Sequence, residues 1–224
     1  MLNIEEWMKR YTKRILDEFQ DRIIFIGLQG SYGRGEATED SDIDVVAIFD
    51  YVTIEDLRKY DAIISELPER DKICGFVSGK VEIMHWEKSD LFQFYYDTQA
   101  CYGDMDFILP MLQKDHARQA VLTGSCNIYH ACCHNIIHEK SQEILQALYK
   151  QSAFVLQAKY FYDTGDYIKH RKDLMKYVSN EDKQILETYL TVKNAEHMDN
   201  ADFLTYSDRL FVWAGKLIES YSFC

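Results

Sequence analysis

Gly30-Ser31-Tyr32-Gly33-Arg34-Gly35, followed by Asp42-Ile43-Asp44, is the stretch that decides how this 224-residue chain is read. Ahead of it, Arg22-Ile23-Ile24-Phe25-Ile26-Gly27-Leu28-Gln29 is apolar and β-branched, the pattern of a strand. Ile43-Asp44-Val45-Val46-Ala47-Ile48-Phe49 has the same character and reads as another strand. Side chains two apart in a strand leave from one face, so Asp42 and Asp44 project together from its start. Two carboxylates held that close repel each other unless a cation sits between them. A hard divalent ion with oxygen ligands, Mg²⁺ first among them, is the natural partner. The glycines upstream let backbone N–H groups turn toward an anion such as a phosphate. A phosphate cradle beside metal-binding acids is the equipment of nucleotide chemistry.

Outward from this stretch the chain reads as α+β. Ile4, Trp7, Met8, Tyr11, Ile15, Leu16 and Phe19 fall at helical spacing within residues 3–20. Ile54 to Leu67 predicts a helix with Thr53 as N-cap and Pro68 just past its end. Ile73–Ser78 and Lys80–Trp86 predict two strands joined at Ser78-Gly79 by a hairpin-type turn. Ser89 to Thr98 predicts a helix, Asp104 to Leu122 another, and Ser125–Tyr129 a last short strand. Beyond about residue 130 only helical patterns remain, near 131–163, 166–178, 180–194 and 201–221, with Asn180 placed to cap the third. Two domains follow: residues 1–130, a mixed sheet with flanking helices, and residues 131–224, a helical bundle.

The composition narrows the partners. The longest stretch without Asp, Glu, Lys or Arg, residues 119–138, carries His130, His134 and His138 among further polar side chains, so no transmembrane helix is expected. The start, Met1-Leu2-Asn3-Ile4-Glu5-Glu6-Trp7, lacks the basic and apolar regions of a signal peptide, and a cytoplasmic location is the expectation. Six cysteines (74, 101, 126, 132, 133, 224) show no framework spacing and read as buried thiols rather than disulfides. A formal charge of −12 argues against nucleic acid as substrate and suits a cationic small molecule.

Gly-Ser-x-x-Arg-Gly followed by Asp-x-Asp on the next strand resembles the nucleotidyltransferase superfamily, which includes DNA polymerase β and kanamycin nucleotidyltransferase. Ten residues separate Ser31 from Asp42, within the usual gap of that family. The resemblance implies an N-terminal nucleotidyltransferase domain and, from the helical second half, the bundle of the antibiotic-modifying branch. It implies Asp42, Asp44 and a third carboxylate on a later strand as catalytic residues and metal ligands, and Glu82 is the match by sequence. It implies Gly30, Ser31, Arg34 and Gly35 as the nucleotide-binding turn, with Ser31, the turn amides and Arg34 on the β- and γ-phosphates. The implied cofactor is Mg²⁺, two ions about 3.5–4 Å apart, with ATP as co-substrate. The implied reaction moves AMP from ATP to a hydroxyl of an aminoglycoside-like antibiotic and releases pyrophosphate. Glu82 is either a metal ligand or the general base, and Glu139 and Glu143 are alternative bases. The alternatives are a protein adenylyltransferase of the antitoxin type and a non-catalytic nucleotide-binding regulator. A homodimer stays open.

Other constellations compete for chemistry. His130, His134 and His138 fall at i, i+4 and i+8 beside Cys132 and Cys133, a zinc pattern that one straight helix cannot close around a tetrahedral ion. Phe92, Phe94, Tyr95, Tyr96 and Tyr102, and Tyr160, Phe161, Tyr162 and Tyr167, are either cleft lining or core. Asp163, Asp166 and Asp173 are either acceptor-binding acids or turn and surface residues.

Overall fold

The computed structural model describes residues 2–193 and 195–222, which gather into two compact units, Met1–Leu112 and Gln113–Cys224. Cys224 lies outside the described residues.

The first unit is a four-stranded mixed sheet with helices on both faces. Helix α1 (Ile4–Phe19) is capped by the Asn3 side chain, which accepts from the Glu6 amide, and buries Trp7, Met8, Tyr11, Ile15 and Phe19 along one face. β1 (Ile23–Leu28) leads through a tight turn, α2 (Gly30–Gly33), to β2 (Ile43–Phe49). Then come α3 (Ile54–Ser65), β3 (Ile73–Gly79), α4 (Lys80–Met84), α5 (Lys88–Asp97) and β4 (Gln99–Gly103). The strand order is β3-β2-β1-β4, with β1 antiparallel to β2 and β4, and β2 parallel to β3. β2 is apolar nearly throughout because both its faces are covered. Ile43, Val45, Ala47 and Phe49 pack with α1 and α3, while Val46 and Ile48 pack with Phe25, Ile83, Leu91, Met105 and Ile108. Each large side chain buried in this way contributes about 1.5–3 kcal/mol.

The first turn of α3 is a polar knot. Thr53 and Asp56 form a reciprocal capping box, and the Asp56 carboxylate also accepts from Arg22 Nη1 at 2.6 Å and Nη2 at 3.1 Å. The Arg22 guanidinium, with the Thr53 hydroxyl and amide, holds the Asp56 carboxyl well below the usual carboxylate range. A carboxyl depressed on folding stabilises above its unfolded value of about 3.9 and loses that contribution as pH falls below it. Asp56→Ala is therefore expected to cost about 2 kcal/mol in urea unfolding at pH 7, with wild type and variant converging as the pH falls below 3.

The second unit is all-helical: α6 (Lys114–His134), α7 (Gln142–Thr164), the single turn α8 (Arg171–Leu174), α9 (Asn180–Lys193) and α10 (Asn200–Tyr221). Val121, Ser125, Ile128 and Cys132 form the inward face of α6. At Gly124 an added Cβ would lie 2.5 Å from Val155 Cγ2, so α6 and α7 run close there. Buried Asp182 ties three helices together, accepting from Lys159 Nζ, Trp213 Nε1 and Ser179 Oγ, each at 2.9 Å.

Several expectations are corrected here. Residue 130, the expected domain change, lies inside α6. Ser125–Tyr129 belongs to that same helix; five apolar-leaning residues are too few to tell the two periods apart. Lys80–Trp86 is not a hairpin strand, since Lys80–Met84 is helical and buries Ile83. The expected long helix from 131 to 163 is interrupted by a π-helical turn, Asn135–Glu139, and by Lys140 at φ 53°. Asn135 stitches this break by exchanging two hydrogen bonds with the Ser141 backbone, at 2.9 and 3.0 Å. No glycine or proline marks it. Ser179, rather than Asn180, caps α9, accepting from the Asp182 amide at 3.2 Å.

Candidate active site

The turn after β1 is built around two left-handed glycines. Gln29 closes the strand by donating its amide to the Asp44 carbonyl at 2.8 Å. Gly30 then adopts φ 64° and Gly35 φ 68°. Between them the Arg34 amide donates to the Gly30 carbonyl at 3.1 Å, and the Glu36 amide to the Ser31 carbonyl at 2.8 Å. A Cβ on Gly30 would lie 1.8 Å from Asp44 Oδ2. The Asp44 carboxylate therefore rests directly on the glycine, and no other residue permits that approach.

Asp42 is exposed just ahead of β2, and Asp44 is half-buried within it. Their shared parity puts them on the face that also carries Val46 and Ile48. Turn and acids thus meet at the N-terminal end of β2.

Glu82 is not at that end. The parallel pairing of β2 and β3 runs from Asp44 opposite Cys74 to Phe49 opposite Gly79, and Glu82 follows on α4. Five residues of strand, about 16 Å, separate those two levels. Glu82 instead lies in the first turn of its own helix, with Oε2 placed 2.2 Å from where a Gly79 Cβ would stand, a position suited to a helix-start acid. The residue beside Asp44 on β3 is Cys74, exposed and free.

Arg34 also departs from expectation. Its guanidinium is buried, donating to Asp97 Oδ2 at 2.6 Å and Glu36 Oε2 at 3.3 Å. It braces the turn from within.

Among the described residues no group of three or more His, Cys, Asp or Glu is placed to hold a metal ion. Asp44, seated on Gly30, together with exposed Asp42 still fits Mg²⁺, which is commonly held by one or two carboxylates and completes its octahedron with substrate phosphates and water.

Several of the remaining candidates are engaged in structural contacts. The His134 and His138 rings are 4.9 Å apart on either side of the start of the π turn, and His134 Nδ1 is 4.0 Å from Glu139 Oε1. Glu143 accepts from the Ser141 hydroxyl at 2.7 Å, which lowers its pKa. Phe92 is core, and Phe94 packs on Phe76 with ring centroids 4.8 Å apart. Tyr95 donates to Asp106 at 3.1 Å, and burial together with that carboxylate pushes its pKa up to about 12. Asp163 pairs with Lys159 at 3.6 Å and Asp173 with Lys176 at 2.7 Å, while Asp166 follows a turn bonded to Thr164. Sequence reasoning missed Cys74 and Asp97, because neither strand register nor a partner 63 residues away leaves a local mark.

The family model described as "Nucleotidyltransferase domain" matches residues 9–96, which contain the whole turn and both acids. A protein of Methanocaldococcus jannaschii assigned as a protein adenylyltransferase is 34% identical over 79 residues, 32% of this chain and 79% of that protein. This chain belongs to the nucleotidyltransferase family. A second M. jannaschii protein, assigned in the same way, is 36% identical to this nucleotidyltransferase over 72 residues, 32% of this chain and 67% of the relative. Among solved structures, spectinomycin adenyltransferase AAD(9) from Enterococcus faecialis, determined with ATP and spectinomycin, matches with a TM-score of 0.53. That match has 13% identity and covers 92% of this chain and 98% of the other, a likeness of fold. Among the described residues no helix is long and apolar enough to cross a membrane.

Proposed function

We propose that this nucleotidyltransferase moves AMP from ATP to a hydroxyl of a small, cationic acceptor of the aminoglycoside kind. The observation that carries the reading is the extent of the fold match: it runs through both units, and the matched enzyme was solved with ATP and spectinomycin. The charge of −12 supports a cationic acceptor over a nucleic acid.

In this reading the acceptor oxygen bonds to the α-phosphorus, the bond to the β-phosphate oxygen breaks, pyrophosphate leaves and the hydroxyl proton passes to solvent or a base. Asp42 and Asp44 would hold Mg²⁺, which would supply positive charge against the phosphates. In this reading the amides of Gly30, Ser31 and Tyr32, at the start of the turn, face the β- and γ-phosphates, while those of Gly33, Arg34 and Gly35 donate within the turn. Cys74 adds no third carboxylate beside Asp44, so one ion, arriving with the triphosphate, is the better match than two.

The M. jannaschii relatives favour a second reading, in which the acceptor is a protein side chain. Incubation with α-labelled ATP and Mg²⁺, first with spectinomycin and an aminoglycoside panel and then with cell lysate, separates them. A labelled small molecule is the expected result. A labelled protein band without small-molecule product replaces the first reading with the second, and no transfer to either removes both.

A further inference from the structure

The phosphate turn is gripped at both ends by the last turn of α5. Gln29, which enters the turn, donates from Nε2 to Thr98 Oγ1 at 2.7 Å and to the Phe94 carbonyl at 3.2 Å. Thr98 Oγ1 donates in turn to that same carbonyl at 2.5 Å. Arg34, which leaves the turn, reaches back to Asp97 at 2.6 Å, with side-chain exposures of 2% and 9% for the pair. Phe94–Thr98 therefore fixes the entry and the exit of a loop whose backbone amides have to face an anion.

A buried ion pair is a poor device for stability alone, since desolvation offsets most of the attraction, and an apolar pair of similar volume often serves as well. It is a good device for geometry, because the planar guanidinium and the carboxylate set one another's orientation. Arg34 is also bound into the turn by its own amide on the Gly30 carbonyl. A shift of its side chain is thereby transmitted to the residue that seats Asp44.

We propose that Asp97 is a positioning residue for nucleotide binding: by anchoring Arg34 it holds the Gly30–Gly35 backbone in the shape that receives the phosphates. The proposal rests on the nucleotide-binding reading of that turn.

The test measures the Kd of a fluorescent ATP analogue, mant-ATP with Mg²⁺, for the full chain, together with melting curves. Asp97→Asn removes the anchor charge, and the double variant Arg34→Met/Asp97→Leu replaces the pair with apolar groups. Melting within a few degrees of wild type for the double variant, with mant-ATP affinity weakened about tenfold or more in both, is the expected result. Asp97→Glu, which keeps the charge, is expected to recover part of the affinity. If either folded variant binds mant-ATP as tightly as wild type, Asp97 only supports the fold and the proposal is wrong. If wild type itself fails to bind mant-ATP, the nucleotide reading of the turn falls and the proposal falls with it. The wild-type measurement therefore tells the two failures apart.

Discussion

Asp44→Asn is expected to lower nucleotidyl transfer by about 10³-fold, whereas Glu82→Gln is expected to leave it within about twofold. The contrast follows from where β2 and β3 put the two acids. Asp44 sits at the N-terminal end of β2 with its carboxylate on Gly30, beside the turn that would hold phosphates. Asparagine keeps the shape and one acceptor oxygen but removes the charge, and with it the attraction for a hard divalent ion. Asp42 alone remains at that end, because the neighbouring strand offers Cys74 rather than an acid at the level of Asp44. Glu82 lies past the other end of β3, exposed on a short helix. Its loss removes a favourable charge from a helix start, worth a few tenths of a kcal/mol. The measurement is initial rate at saturating MgATP for both variants, with MgATP affinity alongside. A Glu82→Gln enzyme that loses turnover would restore Glu82 to the catalytic set and would require α4 to reach Asp44.

The parts of this site that were legible in the sequence are those that depend on local chemistry. Gly30 and Gly35 could be read because a left-handed backbone selects glycine. Asp42 and Asp44 could be read because period-two alternation in a strand needs only its own residues. The helix at Ile54 was legible from its cap, since Thr53 and Asp56 complete a box within four residues. What could not be read is long-range. Glu82 was assigned to a strand facing Asp44, but register between strands is settled by pairing partners some 30 residues apart, and five residues around Val81 and Ile83 fit either period. Arg34 was assigned to phosphate because a cation beside a phosphate turn has an evident use. Its carboxylate partner is 63 residues on, in an aromatic helix whose sequence gives no hint of it. In the helical half the break at Lys140 was hidden because a lysine took the left-handed conformation and Asn135 held the turn.

Gly30→Ala is the substitution that isolates the seat of Asp44 from simple backbone strain, because Gly35 supplies its control. Both glycines are left-handed, at φ 64° and 68°, so alanine costs each about 1–2 kcal/mol in conformation. They differ in what the new methyl meets. At Gly35 nothing lies within 4 Å, while at Gly30 the methyl would stand 1.8 Å from Asp44 Oδ2 and 2.8 Å from its Cγ. Alanine at 30 therefore evicts the carboxylate, and alanine at 35 does not. Both variants are expected to lower the melting temperature by a few degrees. Gly35→Ala is expected to keep transfer within several-fold of wild type, and Gly30→Ala to lose about 10²-fold or more. MgATP binding by calorimetry is expected to follow the same order. Equal losses in the two would mean that backbone strain alone disables the turn. Equal retention would mean that Asp44 works as well displaced as seated on Gly30.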